Sequence, residues 1–181
     1  MPKSTLKVSG LLQSDSKDEN YFSKLAFQKL IPMIIRQANI HDAQPIVEFQ
    51  LAMAWETEQL RLDKPTVIKG VAAVFEDPSK GTYYVAEQDG QVLGSLLTTF
   101  EWSDWRNGTV LWIQSVYVKP GFREKSIFSK LYRHVREKVI GDPELRGIRV
   151  YADKTNTPAH SVYEHLGMTA EHYRMFEWMK G

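Results

Sequence analysis

The sequence contains no cysteine, and its charges are nearly balanced. Without Cys the chain has no disulfide framework, no Cys-ligated zinc and no cysteine nucleophile, so a covalent intermediate would need another residue. The formal net charge of +1 gives no basic excess of the kind that announces binding to nucleic acid or anionic membranes. We therefore expect neither partner, and a chain without cysteine suits a cytoplasmic location.

Long apolar runs and internal repeats are also missing. No segment approaches the roughly 20 apolar residues of a membrane span, and the N-terminal stretch has no apolar run of signal-peptide length. The 181 residues fit one domain, and the 43% apolar content is sufficient for a packed core. We expect residues 1–32, which are polar at first, to form an accessory extension prone to disorder, and residues 33–181 to form the domain.

The hydrophobic patterns of residues 33–181 alternate between strand and helix spacing. Two dipeptides, Asp89-Gly90 and Asn107-Gly108, tolerate the positive φ angles of hairpin turns and predict three consecutive antiparallel strands. The order of elements indicates an α/β domain in which helices cover both faces of a mixed, mostly antiparallel sheet. In chain order we predict a strand over 33–38, helices ending near 58 and 77, strands over 82–88, 91–102 and 109–118, a helix over 128–139, a strand over 147–152, a helix over 157–167 and a last strand over 173–178.

The stretch "VYVKPGFREKSIFSKLY" reads as a strand, a short polar loop and a helix. A loop before a helix presents unpaired backbone N–H groups at the positive end of the helix dipole, which is a ready site for phosphate. Arg123 and Lys125 would add positive charge to that site. The alternative is that Pro120 and Gly121 only turn the chain while the basic side chains are solvated, and this stretch alone leaves both interpretations open.

That stretch, followed by "YADKTNTPAHSVYEHLGM", resembles the GNAT superfamily of acyl-CoA-dependent N-acyltransferases over residues 33–181. The resemblance implies acetyl-CoA as co-substrate, bound without a metal. It also implies that the strand before the loop binds the pantetheine arm through its backbone, while an Arg-x-x-Gly-x-Gly/Ala loop wraps the pyrophosphate. The cofactor-binding residues implied in this way are Val116, Tyr117, Val118, Arg123, Glu124, Lys125, Ser126, Ile127, Phe128 and Asn156.

Two residues depart from the loop pattern of the family. Ser126 stands where Gly is usual, and Phe128 stands where Gly or Ala is usual. Glycine permits close approach of the backbone to phosphate, so a Cβ at this position can cost affinity. Because Ser is small and its hydroxyl can itself donate to phosphate, we expect CoA binding to be retained.

The segment "NTPAHSVYEHLGM" resembles a second pattern of the family, Asn-x-x-Ala-x-x-x-Tyr-x-x-x-Gly-Phe/Met. The resemblance implies that Tyr163 protonates the departing CoA thiolate. A phenol with a reference pKa of roughly 10 suits this role, because it still carries its proton at neutral pH. The alternative is a helix tyrosine that only packs its ring against the sheet.

The segment "TTFEWSDWRNGTVLWIQSVYV" is similar to the spermidine/spermine and thialysine acetyltransferase branch. This similarity implies a primary amine acceptor, diamine or amino-acid-like, and places Trp105 in its site. Gln114 and Ser115 fall where that branch has an acidic pair, and Gln cannot act as a base. We expect Gln114 instead to position a water that relays the proton of the amine to a carboxylate, for which the candidates are Glu56, Glu58 and Glu101. For Glu56 and Glu58, a solvated helix end is the alternative.

The function expected from these residues is direct transfer of an acetyl group from acetyl-CoA to an amine, with both bound together. The acceptor could also be an amino acid, an aminoglycoside-like drug or a protein N-terminus. In a different class, the altered loop would suit a non-catalytic acyl-CoA-binding sensor or interaction module, and a purely structural protein is a third alternative. The five histidines show no metal-ligand spacing. The aromatic-rich strands suggest a homodimer face.

Overall fold

A computed structural model describes residues 32–123 and 125–180 of the chain. The N-terminal extension expected over residues 1–32 lies almost wholly outside the described residues, as does Glu124. In the described part no helix is long and apolar enough to cross a membrane. The elements are β1 (Ile34–Gln37), α1 (Ala43–Glu58), α2 (Lys64–Glu76), β2 (Thr82–Gln88), β3 (Gln91–Ser103), β4 (Gly108–Val118), α3 (Ile127–Gly141), β5 (Leu145–Val150) and α4 (Thr157–His165).

The five strands form one sheet in the order β1-β2-β3-β4-β5. The first three pairings are antiparallel and the pairing of β4 with β5 is parallel. Helices α1 and α2 pack on one face through Ile46 and Val71, and α3 packs on the other through Leu131 and Val135. This arrangement confirms the predicted α/β class with a mostly antiparallel sheet and helices on both faces.

The local signals in the sequence set the boundaries of these elements. Asp89 and Asn107 have φ angles of 52° and 44°, as the two predicted hairpin turns require. The side chain of Asn39 accepts a hydrogen bond from the backbone N–H of His41, and the Asp42 carboxylate accepts one from the backbone N–H of Asn39. This reciprocal cap starts the short 3₁₀ turn that leads into α1.

The strand predicted over residues 173–178 is wrong. This segment is described, but it forms no strand, and its aromatic side chains lie in solvent, with Phe176 91% exposed and Trp178 85% exposed. Aromatic residues favour strands because they pack well on a pleated, half-buried surface. Here the segment does not pair with the edge strand β5, although Tyr173 lies near Arg149 of that strand, so the propensity alone does not produce a strand.

An ionic network ties β1 to the start of α1 and to β2. Arg36 donates to both carboxylate oxygens of Asp42, at 2.7 and 2.8 Å, and its Nε donates to Glu87 at 2.7 Å. The Asp42 side chain is only 6% exposed. Burial alone would raise the pKa of Asp42, but the hydrogen bonds from Arg36 and from the Asn39 backbone hold it below its ordinary value. A buried carboxylate of this kind stabilises the fold only while it is ionised and paired.

We expect Asp42→Asn to lower the free energy of unfolding by about 2 kcal/mol, because it removes the charge that pairs with Arg36 but keeps the shape of the side chain. Since the folded-state pKa of Asp42 is depressed, its contribution is present above the unfolded pKa of about 3.9 and is lost as pH falls through the folded pKa. Urea denaturation at pH 7 and below pH 4 measures both effects. Exposed Glu48→Gln in α1 is the control, and an equal loss in both variants would contradict the assignment.

Candidate active site

The candidate site is built around a place where β4 and β5 separate. The two strands pair in parallel only from Thr109 and Leu145 to Ile113 and Val150. β4 then continues for five residues to Val118 while it stays paired with β3 on its other side. In the described structure the backbone of β4 beyond Ile113 therefore has no strand partner on the β5 side. These free polar groups can bind an extended ligand that takes the place of a strand.

A bulge in β4 marks the start of this open edge. The register with β3 shifts between Ser95↔Tyr117 and Leu97↔Gln114, and Ser115 adopts a left-handed conformation with φ of 51°. Such a bulge bends the strand and re-aims the residues that follow. Val116 and Val118 pack into the core on the α3 face, whereas Tyr117 packs on the α1 face with its ring 5.1 Å from that of Phe49. The side chains of the open segment are thus held in the core on both faces, and on the β5 side its backbone has no strand partner, although the Val118 carbonyl accepts a hydrogen bond from Arg123.

The loop between β4 and α3 fits a phosphate group. Ser126 precedes the helix and makes no side-chain capping bond to it, so the first N–H groups of α3 keep no intrahelical acceptor and no cap from Ser126. Lys125 is exposed beside the loop, with its Nζ 4.8 Å from the centre of the Phe122 ring. Ile127 is buried, so it can meet a ligand only through its backbone. N–H groups and a cation at one helix start form the donor set that phosphate oxygens prefer.

Arg123, at the start of the loop, is fastened to α1. Its Nη2 donates to the Glu56 carboxylate, and its Nε donates to the backbone carbonyl of Val118 at 3.0 Å. The Tyr117 hydroxyl donates to the second oxygen of Glu56 at 2.7 Å, and the guanidinium lies over the Tyr117 ring. The hydrogen bond from Arg123, supported by the one from Tyr117, lowers the pKa of Glu56. Glu56 is therefore an ionised carboxylate that already has two partners.

Tyr163 lies in α4 beside the start of α3. Its ring meets the Phe128 ring edge-on, with centroids 5.4 Å apart and an interplanar angle of 66°. Burial raises the pKa of the Tyr163 phenol, so the group keeps its proton to higher pH than an exposed tyrosine does. Phe128, which departs from the family pattern, thus packs directly against the ring of Tyr163. Asn156 caps α4 by accepting from the backbone N–H of Ala159 at 3.2 Å.

Gln114 lies on the α1 side of the sheet, beyond the part that the helices cover. Its side-chain nitrogen donates to Thr99, and its oxygen accepts from the Tyr151 hydroxyl at 3.4 Å. Further along the same face, Glu101 pairs with Arg149 at 2.5 Å and accepts from the indole N–H of Trp112 at 2.5 Å. Glu101, like Glu56, is therefore neutralised by an arginine.

The structure does not bring all the predicted acceptor residues together. Trp105 is 88% exposed in the turn between β3 and β4, about 20 Å along the strand from Gln114 at the usual rise per residue. Glu58 is exposed at the end of α1 and has no hydrogen-bond or ion-pair partner among the described residues. The pairing of Glu56 with Arg123 joins residues 67 positions apart, and no pattern in the sequence signals it. The described residues contain no cluster of three or more His, Asp or Glu side chains arranged to hold a metal ion.

Comparison with known proteins agrees with this geometry. The sequence profile of the Acetyltransferase (GNAT) family matches residues 39–168. No curated protein sequence matches the chain. Among solved structures, a "possible acetyltransferase" from Clostridium difficile 630 is 39% identical, with a TM-score of 0.76, and the match covers 84% of this chain and 99% of that one.

Two more distant solved structures share the fold. One is described as a predicted acetyltransferase with acetyl-CoA from Clostridium acetobutylicum, at 16% identity and a TM-score of 0.64, with 81% of this chain and 96% of that one covered. The other is the aminoglycoside N-acetyltransferase AAC(6')-Iy in complex with CoA, at 16% identity and a TM-score of 0.67, with 85% and 99% covered. At these identities the likeness extends to the fold alone.

The backbone at Ser126 gives a prediction about the loop. Ser126 has φ of 57°, a left-handed conformation in which a Cβ is strained and Gly is not. We expect Ser126→Gly to raise the free energy of unfolding by about 0.5–1 kcal/mol. We expect Ser129→Gly, three residues further along and inside α3, to lower the free energy of unfolding by about 0.5 kcal/mol. Urea denaturation of both variants measures the difference, and a loss of stability in Ser126→Gly would contradict the strained conformation.

Proposed function

This chain belongs to the GNAT family of acetyltransferases, and on that premise we propose that it transfers an acetyl group from acetyl-CoA to a primary amine of a small molecule, of the diamine or amino-acid-like kind. The observation that carries the proposal is the split between β4 and β5, which leaves the edge of β4 open just before the loop into α3, and the first turn of α3 packs against Tyr163 through Phe128. Acetyl-CoA supplies the activated acetyl group as a thioester. The remaining steps fall to the residues of this chain.

The donor side of the proposed site consists of β4 and the loop that follows it. The open backbone of Val116–Val118 binds the pantetheine arm as a missing strand would, and its N–H groups polarise the thioester carbonyl as the amine attacks. The loop from Arg123 to Phe128 receives the pyrophosphate on its backbone N–H groups and on the charges of Arg123 and Lys125. The left-handed Ser126 supports this assignment, because it keeps the conformation that Gly usually supplies.

Tyr163 is the proposed general acid. When the C–N bond forms and the C–S bond breaks, the sulfur leaves with the electron pair and takes a proton from the Tyr163 hydroxyl. The raised pKa supports this role, because the group is fully protonated at neutral pH. The Phe128 ring holds the phenol ring from one side, which limits the positions that the hydroxyl can take.

The acceptor side is proposed to be the α1 face around Gln114. The Gln114 side-chain oxygen makes only a long contact with Tyr151, so it can hold the amine or a water that carries the amine's proton away. The carboxylates that could receive this proton are Glu56, Glu58 and Glu101, and two of them are bound to arginines. Trp105 remains a proposed acceptor residue on the sequence similarity alone, since it lies at the far end of the hairpin.

The first test is binding. We expect saturable calorimetric titrations of the purified chain with acetyl-CoA and with CoA, because the loop and the strand edge contact parts common to both. We further expect Tyr163→Phe to lower kcat about 100-fold or more in an assay of CoA release with an active amine, while the Kd for acetyl-CoA is unchanged. The amines to screen are diamines, amino acids, aminoglycosides and peptides with a free N-terminus.

Tyr84→Phe provides the matched control, since Tyr84 is a buried tyrosine of β2 and should keep its kcat when the hydroxyl is removed. Binding of both ligands without transfer to any amine would favour the acyl-CoA sensor instead. No binding at millimolar acetyl-CoA would overturn the proposal. Equal kcat in Tyr163→Phe and the unmodified chain would show that Tyr163 is not the general acid, but it would not contradict the proposed acetyl transfer.

A further inference from the structure

The positive charge of Arg123 is already paired in the structure. The guanidinium is bound to the Glu56 carboxylate and to the Val118 carbonyl, and both contacts turn it back toward α1 and the end of β4. The Arg123 and Glu56 side chains are 46% and 35% exposed, so water reaches the pair. An ion pair that is exposed to this extent is weak and readily exchanged.

Pyrophosphate is a stronger partner for this arginine than Glu56 is. It carries more negative charge than a carboxylate, and the guanidinium fork can bind two of its oxygens at once. Glu56, in contrast, is a negative charge beside the loop that would have to receive the anion. The carboxylate therefore weakens binding of the anion in two ways. It competes for the guanidinium of Arg123, and its negative charge repels the pyrophosphate.

Resting on the proposed function, we propose that Glu56 competes with the pyrophosphate of acetyl-CoA for Arg123, and that donor binding opens the Glu56–Arg123 pair. Tyr117 would hold the freed carboxylate in its present position, since its hydroxyl donates to the other oxygen of Glu56 at 2.7 Å and its ring is packed against Phe49. Glu56 then regains an uncompensated charge at the end of α1. That charge becomes available to a protonated amine only after the donor has bound.

Glu56→Gln tests the competition, because it keeps the size and hydrogen-bonding capacity of the side chain and removes its charge. We expect calorimetry to show acetyl-CoA binding about fivefold tighter than in the unmodified chain, the factor that corresponds to roughly 1 kcal/mol for an exposed ion pair. The Kd for acetyl-pantetheine, which lacks the pyrophosphate, should not change. A residue that only held the loop in place would give the opposite sign, since its loss would weaken acetyl-CoA binding.

Glu58→Gln is the matched control, because it makes the same charge change two residues further along the same helix end, without an arginine partner among the described residues. We expect its Kd for acetyl-CoA to equal that of the unmodified chain, and thermal unfolding of both variants verifies that they fold. Weaker or unchanged acetyl-CoA binding in Glu56→Gln, or an equal gain in Glu58→Gln, would overturn the competition. If no form of the chain binds acetyl-CoA, the proposed function itself fails, which is a separate outcome.

Discussion

The structure depends on one constraint, the unequal pairing of β4 on its two sides. β4 is bound to β3 over its whole length but to β5 only as far as Ile113, and the bulge at Ser115 bends it just beyond that point. A strand needs hydrogen-bond partners for its backbone, so the open edge is tolerated only where water or a ligand can reach it. The packing of Val116, Tyr117 and Val118 on both faces keeps this edge extended without a neighbouring strand.

The loop that follows β4 shows how one position can change while its backbone conformation is kept. At Ser126 the chain takes a left-handed conformation although a Cβ is present, because the turn into α3 still requires it. Phe128 is a larger change, and its ring packs against the rings of Tyr163 and Tyr132. A bulky side chain in the second loop position is therefore compatible with a free helix start, since its volume is accommodated between α3 and α4.

The sequence predicted those features whose causes are local. The turns at Asp89 and Asn107 are set by residues next to one another, and both lie where they were expected. The strand expected at residues 173–178 does not form, because a strand needs pairing with another strand and local propensity does not provide that pairing. The contact between Glu56 and Arg123 also could not be predicted, since the fold alone brings these residues together.

The distribution of charge limits how an amine can enter the candidate site. Glu56 and Glu101 would both attract a protonated amine, yet each is bound to an arginine, so neither presents an unpaired charge in the structure. Arg149 lies over the Trp112 and Tyr173 rings, whereas Arg123 begins the loop that is proposed to receive the pyrophosphate. Of the two pairs, only the one at Glu56 has an anionic competitor within the proposed reaction. In the proposed reaction, entry of the donor and exposure of an acceptor carboxylate would thus be linked through a single arginine.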